Sequence, residues 1–162
     1  MASKAPIVSQ IAWFSAFPQI LLLGLFIFIY YLLGVRFFLL FGALTYLALS
    51  YGLKSFIIND HQKGIKLVKR GNFIDAIPYF EKSVKFFSEN SWLDKYRYLT
   101  MLSSSKMGYR EMGLCNIAFC YSQTNKGLEA KELYRVILKE YPENILANAT
   151  IKMLDSLDNE TN

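Results

Sequence analysis

The feature that most constrains this chain is the spacing of its first charged residues. Between Lys4 and Arg36 there is no charged residue for 31 positions, and between Arg36 and Lys54 there is none for another 17. As one helix, residues 5–53 would be about 73 Å long, whereas the hydrocarbon core of a bilayer is about 30 Å thick. One crossing cannot absorb that length, but two can. The sequence therefore predicts a hairpin: a first helix near Ile11–Leu33, a turn at Gly34-Val35-Arg36 and a second helix near Phe37–Leu53. Glycine relaxes the backbone at the turn. Arg36 marks a point that should reach the interface, because an arginine at the bilayer centre costs about 2.5–3.5 kcal/mol.

The second apolar run is short, about 26 Å as a helix. Lys54 can snorkel and let Ser55–Ile58 complete it. Trp13 and Tyr51 then lie near one interface and Tyr30 and Tyr31 near the other, while Tyr46 does not fit such a belt. Pro18 is expected to kink the first helix or to begin its tightly packed part. A cleaved signal peptide fits poorly: the run is too long and too aromatic, and no convincing small-x-small site follows. A hairpin dipping into one leaflet is the alternative that the tight turn leaves open. Lys4 flanks one end of the hairpin, and Lys54, Lys63, Lys66, Lys69 and Arg70 flank the other. The positive-inside rule then places both termini in the cytoplasm. No ionisable residue lies away from the ends, which points to an anchor, or to docking on another membrane protein or a second copy, and away from transport.

Composition changes near Ile58. Residues 1–58 carry three charges, all basic; residues 59–162 carry the other 15 basic and all 13 acidic ones, so the net charge of +5 divides into +3 and +2. Two domains follow, 1–58 and 59–162. The near-balanced second part argues against a nucleic-acid partner, which calls for a one-sided basic face. Cys115 and Cys120, five apart, point in different directions from one helix and read as buried thiols. His61 is the only histidine. No zinc-ligand set, Gly-rich phosphate loop, Ser–His–Asp set or paired catalytic carboxylates stand out, so the sequence predicts no metal, no cofactor and no catalysis. Asn148-Ala149-Thr150 and Asn159-Glu160-Thr161 match the glycosylation sequon, which carries no meaning in a cytosolic domain.

Beyond Ile58 the apolar spacing is helical. Helices are expected over His61–Arg70 and Phe73–Phe87, with Gly71-Asn72 as the turn, Asn72 as N-cap and Asp75 in the first turn. Glu111–Gln123 and Leu128–Glu140 repeat this form around Thr124–Gly127. Pro142 ends the pair, and Ile145–Leu157 reads as a capping helix. Pro78 should bend its helix without ending it. Gly64, Leu67, Ala76 and Phe80 align with Ala118, Tyr121, Ala130 and Tyr134, with identical gaps of 3, 9 and 4. The segments HQKGIKLVKRGNFIDAIPYFEKSVKFF and GLCNIAFCYSQTNKGLEAKELYRVILKEYPEN carry this pattern, and the second also has Pro142 at the closing position. Together they cover about 60 of the 162 residues.

This pattern resembles the tetratricopeptide repeat. Joined to the hairpin read from the charge spacing, the resemblance gives an all-α fold: a two-helix transmembrane hairpin followed by a tetratricopeptide-like domain, with an inserted helix and a C-terminal cap. Equivalent residues are 54 apart, whereas uninterrupted repeats recur at about 34. The surplus falls on Ser91–Arg110, read as a helix over Trp92–Leu102 broken at Ser103-Ser104-Ser105, with a restart near Ser105. One continuous helix through Gln123 is the alternative. The resemblance also implies a concave groove, formed by one face of each first helix, that takes a protein or peptide partner. Carried onto this chain, that face comprises His61, Ile65, Lys69, Cys115, Asn116 and Phe119; the spacings 61, 65, 69 and 115, 119 support a shared face independently. Asn116 is equally readable as a packing residue, and Phe119 as lying under the inserted helix. The leading expectation is a membrane-anchored adaptor. A non-catalytic accessory subunit of a membrane enzyme or transport complex, and a membrane-shaping hairpin, are the alternatives.

Overall fold

The computed structural model describes residues 16–160. Among them the chain is all-helical: α1 (Ala16–Leu32), α2 (Phe38–Ile57), α3 (Asn59–Lys69), α4 (Phe73–Glu89), α5 (Ser91–Lys95), α6 (Arg97–Thr100), α7 (Tyr109–Ser122), α8 (Gly127–Glu140) and α9 (Ile145–Glu160). The described residues divide into two compact units, one of 16–59 and 91–106, the other of 60–90 and 107–160.

In the first unit α1 and α2 pack as a hairpin. The expected start at Ile11, and Trp13, lie outside the described residues; Pro18 is the third residue of α1. The second helix runs past Lys54 to Ile57. Gly34 closes the turn at φ +68°. Its N–H donates to the Tyr31 carbonyl at 3.0 Å, and Val35 N–H donates to Tyr30 at 3.2 Å. These two bonds satisfy carbonyls that a helix end leaves open, in the Schellman arrangement. A Cβ on Gly42 would lie 2.8–2.9 Å from the side chain and main chain of Ile27, so glycine is what lets the two backbones approach. Tyr30, expected as a belt residue, turns its hydroxyl into the hairpin, 3.0 Å from Thr45 Oγ1. Tyr31 meets Phe38 edge-on. Many large apolar side chains point outward, among them Phe17, Leu21, Phe28, Leu39 and Leu47, while Leu22, Leu23, Phe26 and Ile27 are half-buried.

The inserted segment departs from expectation. It forms two short helices, five and four residues long, and helix does not resume until Tyr109. Neither one helix over Trp92–Leu102 nor a continuous one through Gln123 is present. The Arg97 guanidinium explains the break: it donates to the carbonyls of Asp94, Ser105 and Lys106, drawing the segment back on itself. Leu102 sits at φ +47°, which no helix accommodates. Met101, Leu102 and Ser103 are buried. Since α6 packs on α1, this segment belongs with the apolar hairpin, although the sequence division at residue 58 places it in the second domain.

The second unit is built on two helical hairpins, α3–α4 and α7–α8, followed by α9. Helix α4 runs through Pro78, which is exposed, for eleven further residues. The hairpins share one register. Gly71 and Asn125, 54 apart, are both left-handed, at φ +82° and +57°. Asn72 N–H donates to the Leu67 carbonyl at 3.0 Å, and Lys126 N–H to that of Tyr121 at 3.1 Å. Ala76 N–H bonds Asn72, and Ala130 N–H bonds Lys126. Asn72 stands at the N-cap position, but its side chain makes no capping bond; the turn itself holds the helix start. In α3–α4, a Cβ on Gly64 would lie 2.7 Å from the Phe80 ring. Helix α7 packs against both α4 and α8. Its buried residues Gly113, Cys115, Ile117, Ala118, Phe119 and Cys120 therefore spread around the helix, as a helix with neighbours on several sides requires. One apolar cluster joins Val68, Ala76 and Phe80 to Ile117, Phe119 and Cys120; another joins Cys115 and Ala118 to Tyr134, Ile137 and Ala147.

Candidate functional site

The six groove candidates divide by burial. His61, Cys115 and Phe119 are buried, Ile65 and Asn116 are half-buried, and Lys69 is exposed. The His61 ring meets Phe80 and Tyr109 edge-on at 5.4 and 5.5 Å, and its Nδ1 lies 3.4 Å from the buried Ser83 hydroxyl. A serine beside a histidine invites a catalytic reading. Both are shut inside the unit beneath aromatic rings, so the pair specifies packing. Phe119 lies edge-on to Phe73 at 5.8 Å, within the cluster shared by the two hairpins. Ile65 packs against the same cluster.

Cys115 contacts Asn144, which donates to its Sγ at 3.3 Å and to Glu111 Oε1 at 2.8 Å. Asn144 Oδ1 accepts from Ala147 N–H at 2.8 Å, capping α9. This buried asparagine ties α9 to α7. Its signal in the sequence is its place between Pro142 and the apolar run that opens α9. Burial pushes both thiols up to about 11 from the usual 9.0, so neither is a ready nucleophile or ligand at neutral pH. Arg110 secures the other end of α7. It donates to Ser88 Oγ at 2.8 Å and Tyr141 Oη at 2.7 Å, and pairs with Glu140.

Among the described residues no group of three or more His, Cys, Asp or Glu could hold a metal. One space open to a ligand in this unit lies at the hairpin turns. A depression of about 630 Å³ is lined by Gly71, Asn72, Phe73, Ile74 and Asp75 on one turn and Gln123, Thr124 and Asn125 on the other. It is wide open and of mixed polarity. Ile74 and Leu128 occupy the same register in α4 and α8, and they are 70% and 80% exposed. The sequence marked these turns as punctuation; extending the 54-residue register to Gly71 and Asn125 would have shown that the two turns repeat. Donors, acceptors and apolar surface converge there around the Asp75 carboxylate, with no thiol or imidazole in the lining, which suits recognition of another chain.

Compared with known proteins, the chain matches no protein-family model, no curated protein and no solved structure.

Proposed function

We propose that this protein is a membrane-anchored interaction module. In this reading α1 and α2 cross the bilayer as a hairpin with both termini cytoplasmic, and the repeat unit, as a divergent tetratricopeptide-like pair, binds a segment of a partner protein. The observation that carries it is the outward apolar surface of α1 and α2. Helix α2, at 20 residues, is the described helix long and apolar enough to cross a membrane, and α1 is apolar but shorter, at 17. At 1.5 Å per residue they span about 30 and 26 Å, close to the hydrocarbon thickness. Arg36 at the turn and Lys54 near the end of α2 bracket that span. The partner surface is expected around the paired turns, with Ile74 and Asn125, and along the accessible part of the first-helix face at Ile65, Lys69 and Asn116.

The test has two arms. In a background with Cys115 and Cys120 replaced by alanine, Arg36→Cys should react with an impermeant thiol reagent in intact cells, while Lys4→Cys and Asp158→Cys should stay protected. Labelling at position 158 from outside refutes the orientation. A photo-crosslinking residue at position 74 should capture a protein in membranes, and Gln123→Trp, an exposed right-handed position on the rim of the depression, should abolish that capture with the melting temperature unchanged. Capture unaffected by Gln123→Trp removes the partner site from the turns.

A further inference from the structure

We infer that the inserted segment, residues 91–100, is an interfacial foot whose exposed aromatic side chains rest in the headgroup layer of a bilayer. The inference rests on the membrane reading of α1 and α2, since it concerns the segment that packs with them. Three observations converge.

The first is placement. The segment departs from the repeat unit between α4 and α7, joins the unit of the apolar hairpin, and sets α6 against α1. If α1 lies in lipid, what packs on α1 is held at the membrane.

The second is chemistry. Trp92, Tyr96 and Leu99 are 57%, 52% and 56% exposed. Their spacing of four and three puts them on one side of the helical stretch, which stays close to helical across the break because Tyr96 N–H bonds Trp92 and Thr100 N–H bonds Tyr96. Tryptophan and tyrosine, each an apolar ring with a polar tip, are the side chains that favour the boundary between water and lipid. Lys95 lies over the Tyr96 ring at 5.8 Å, leaving a cation beside the stripe for lipid phosphates.

The third is the state of the main chain. Irregular backbone is costly near hydrocarbon unless its polar groups are satisfied internally. Arg97 takes up the carbonyls of Asp94, Ser105 and Lys106, and Thr100 Oγ1 donates to the carbonyls of Leu93 and Tyr96. Met101, Leu102 and Ser103 are buried. The segment is thus closed on its polar side and open on its aromatic one.

Trp13 and Trp92 are the two tryptophans, so fluorescence can isolate the foot. The full-length Trp13→Phe protein is reconstituted into phosphatidylcholine–phosphatidylglycerol vesicles with bromines placed at shallow or deep positions of the acyl chains. Trp92 emission should be blue-shifted, and quenched more by shallow than by deep bromines. A second reporter, Tyr96→Trp with both native tryptophans replaced by phenylalanine, should behave alike. Leu47→Trp in that same tryptophan-free background reports on α2 alone and should be quenched most by deep bromines. If Leu47→Trp is quenched but emission from positions 92 and 96 stays red and yields only to aqueous acrylamide, the foot is overturned while the membrane reading stands. If Leu47→Trp escapes the bromines as well, both are overturned.

Discussion

The α1–α2 and α3–α4 hairpins are closed in the same way and held together in opposite ways. At each turn a glycine takes the left-handed conformation, and the next residue's N–H reaches back to a carbonyl five positions earlier, Val35 to Tyr30 and Asn72 to Leu67. Away from the turn the likeness ends. In α3–α4 the helices close over a large ring: Phe80 is fully buried and lies against Gly64. In α1–α2 the one buried residue in either described helix is Gly42. That hairpin is joined by backbone proximity, one hydroxyl pair and ring contacts of Tyr30 with Phe41 and Tyr31 with Phe38, while many of its large side chains face outward. A water-facing pair gains from taking apolar surface out of water; a pair in lipid has no such gain and relies on close packing. On the membrane reading proposed above, the same turn therefore serves in either solvent while the helix faces differ.

The sharpest break of this comparison is Phe80→Ala, which should destabilise the repeat unit by about 3–5 kcal/mol in urea titrations and leave the hairpin's helical signal in detergent intact. Next comes pH. The folded-state pKa values of Cys115 and Cys120 are raised from 9.0 to about 11. Their contribution is therefore full below pH 9 and is lost as pH rises toward 11, by about 2 kcal/mol per thiol. In alkaline melting curves this loss should appear as the difference between the wild type and the Cys115→Ala, Cys120→Ala double variant, which keeps only the later loss from Tyr134, whose hydroxyl is pushed up to about 12 by burial.

Gly42→Leu turns the argument round. The obstacle it meets includes Ile27 main chain, which cannot move aside. Thermal unfolding in micelles should register about 1–3 kcal/mol of overpacking in the hairpin, with the repeat unit unaffected. If the closure of the turns is truly independent of solvent, Gly34→Ala and Gly71→Ala should each cost about 1–2 kcal/mol, and a twofold disagreement between them would show the environment acting on the turn as well. The smallest effect belongs to Thr45→Val. Loss of the Tyr30 contact should cost about 0.6 kcal/mol, measured against Tyr30→Phe in a double-mutant cycle.

Periodicity in the sequence carried the helices of the repeat unit to within a few residues. The 54-residue register inferred from four matched positions extends, in the structure, to the turn hydrogen bonds. Where the sequence misled, the cause was usually an interaction with the main chain or with a distant helix. Arg97 folds the insert by binding carbonyls, which every sequence possesses, so nothing in 91–106 announced two short helices or an attachment to α1. His61, placed by the resemblance on the groove face, is buried because the ring that covers it, Tyr109, comes from α7. Asn72 had the right identity and position for a cap, but the left-handed Gly71 had already fixed the helix start. Conversely Asn144, which caps α9 and binds α7, carried only the signal of its place between Pro142 and the apolar run of α9.

The excursion of residues 91–106 also has a consequence for synthesis. The chain makes α3 and α4, leaves for the other unit, and only then makes α7, the helix that covers Phe80, Ala76 and Val68 from the second side. At about 5–20 residues per second, the ribosome needs roughly 2–6 s to get from Asn90 to Ser122. For that interval the first repeat exists without its neighbour, its inner face bare, while the α1–α2 hairpin that precedes it has already been synthesised. A nascent chain stalled after Asn90 should therefore be a better chaperone client than one stalled after Ser122, which ribosome-bound crosslinking can measure.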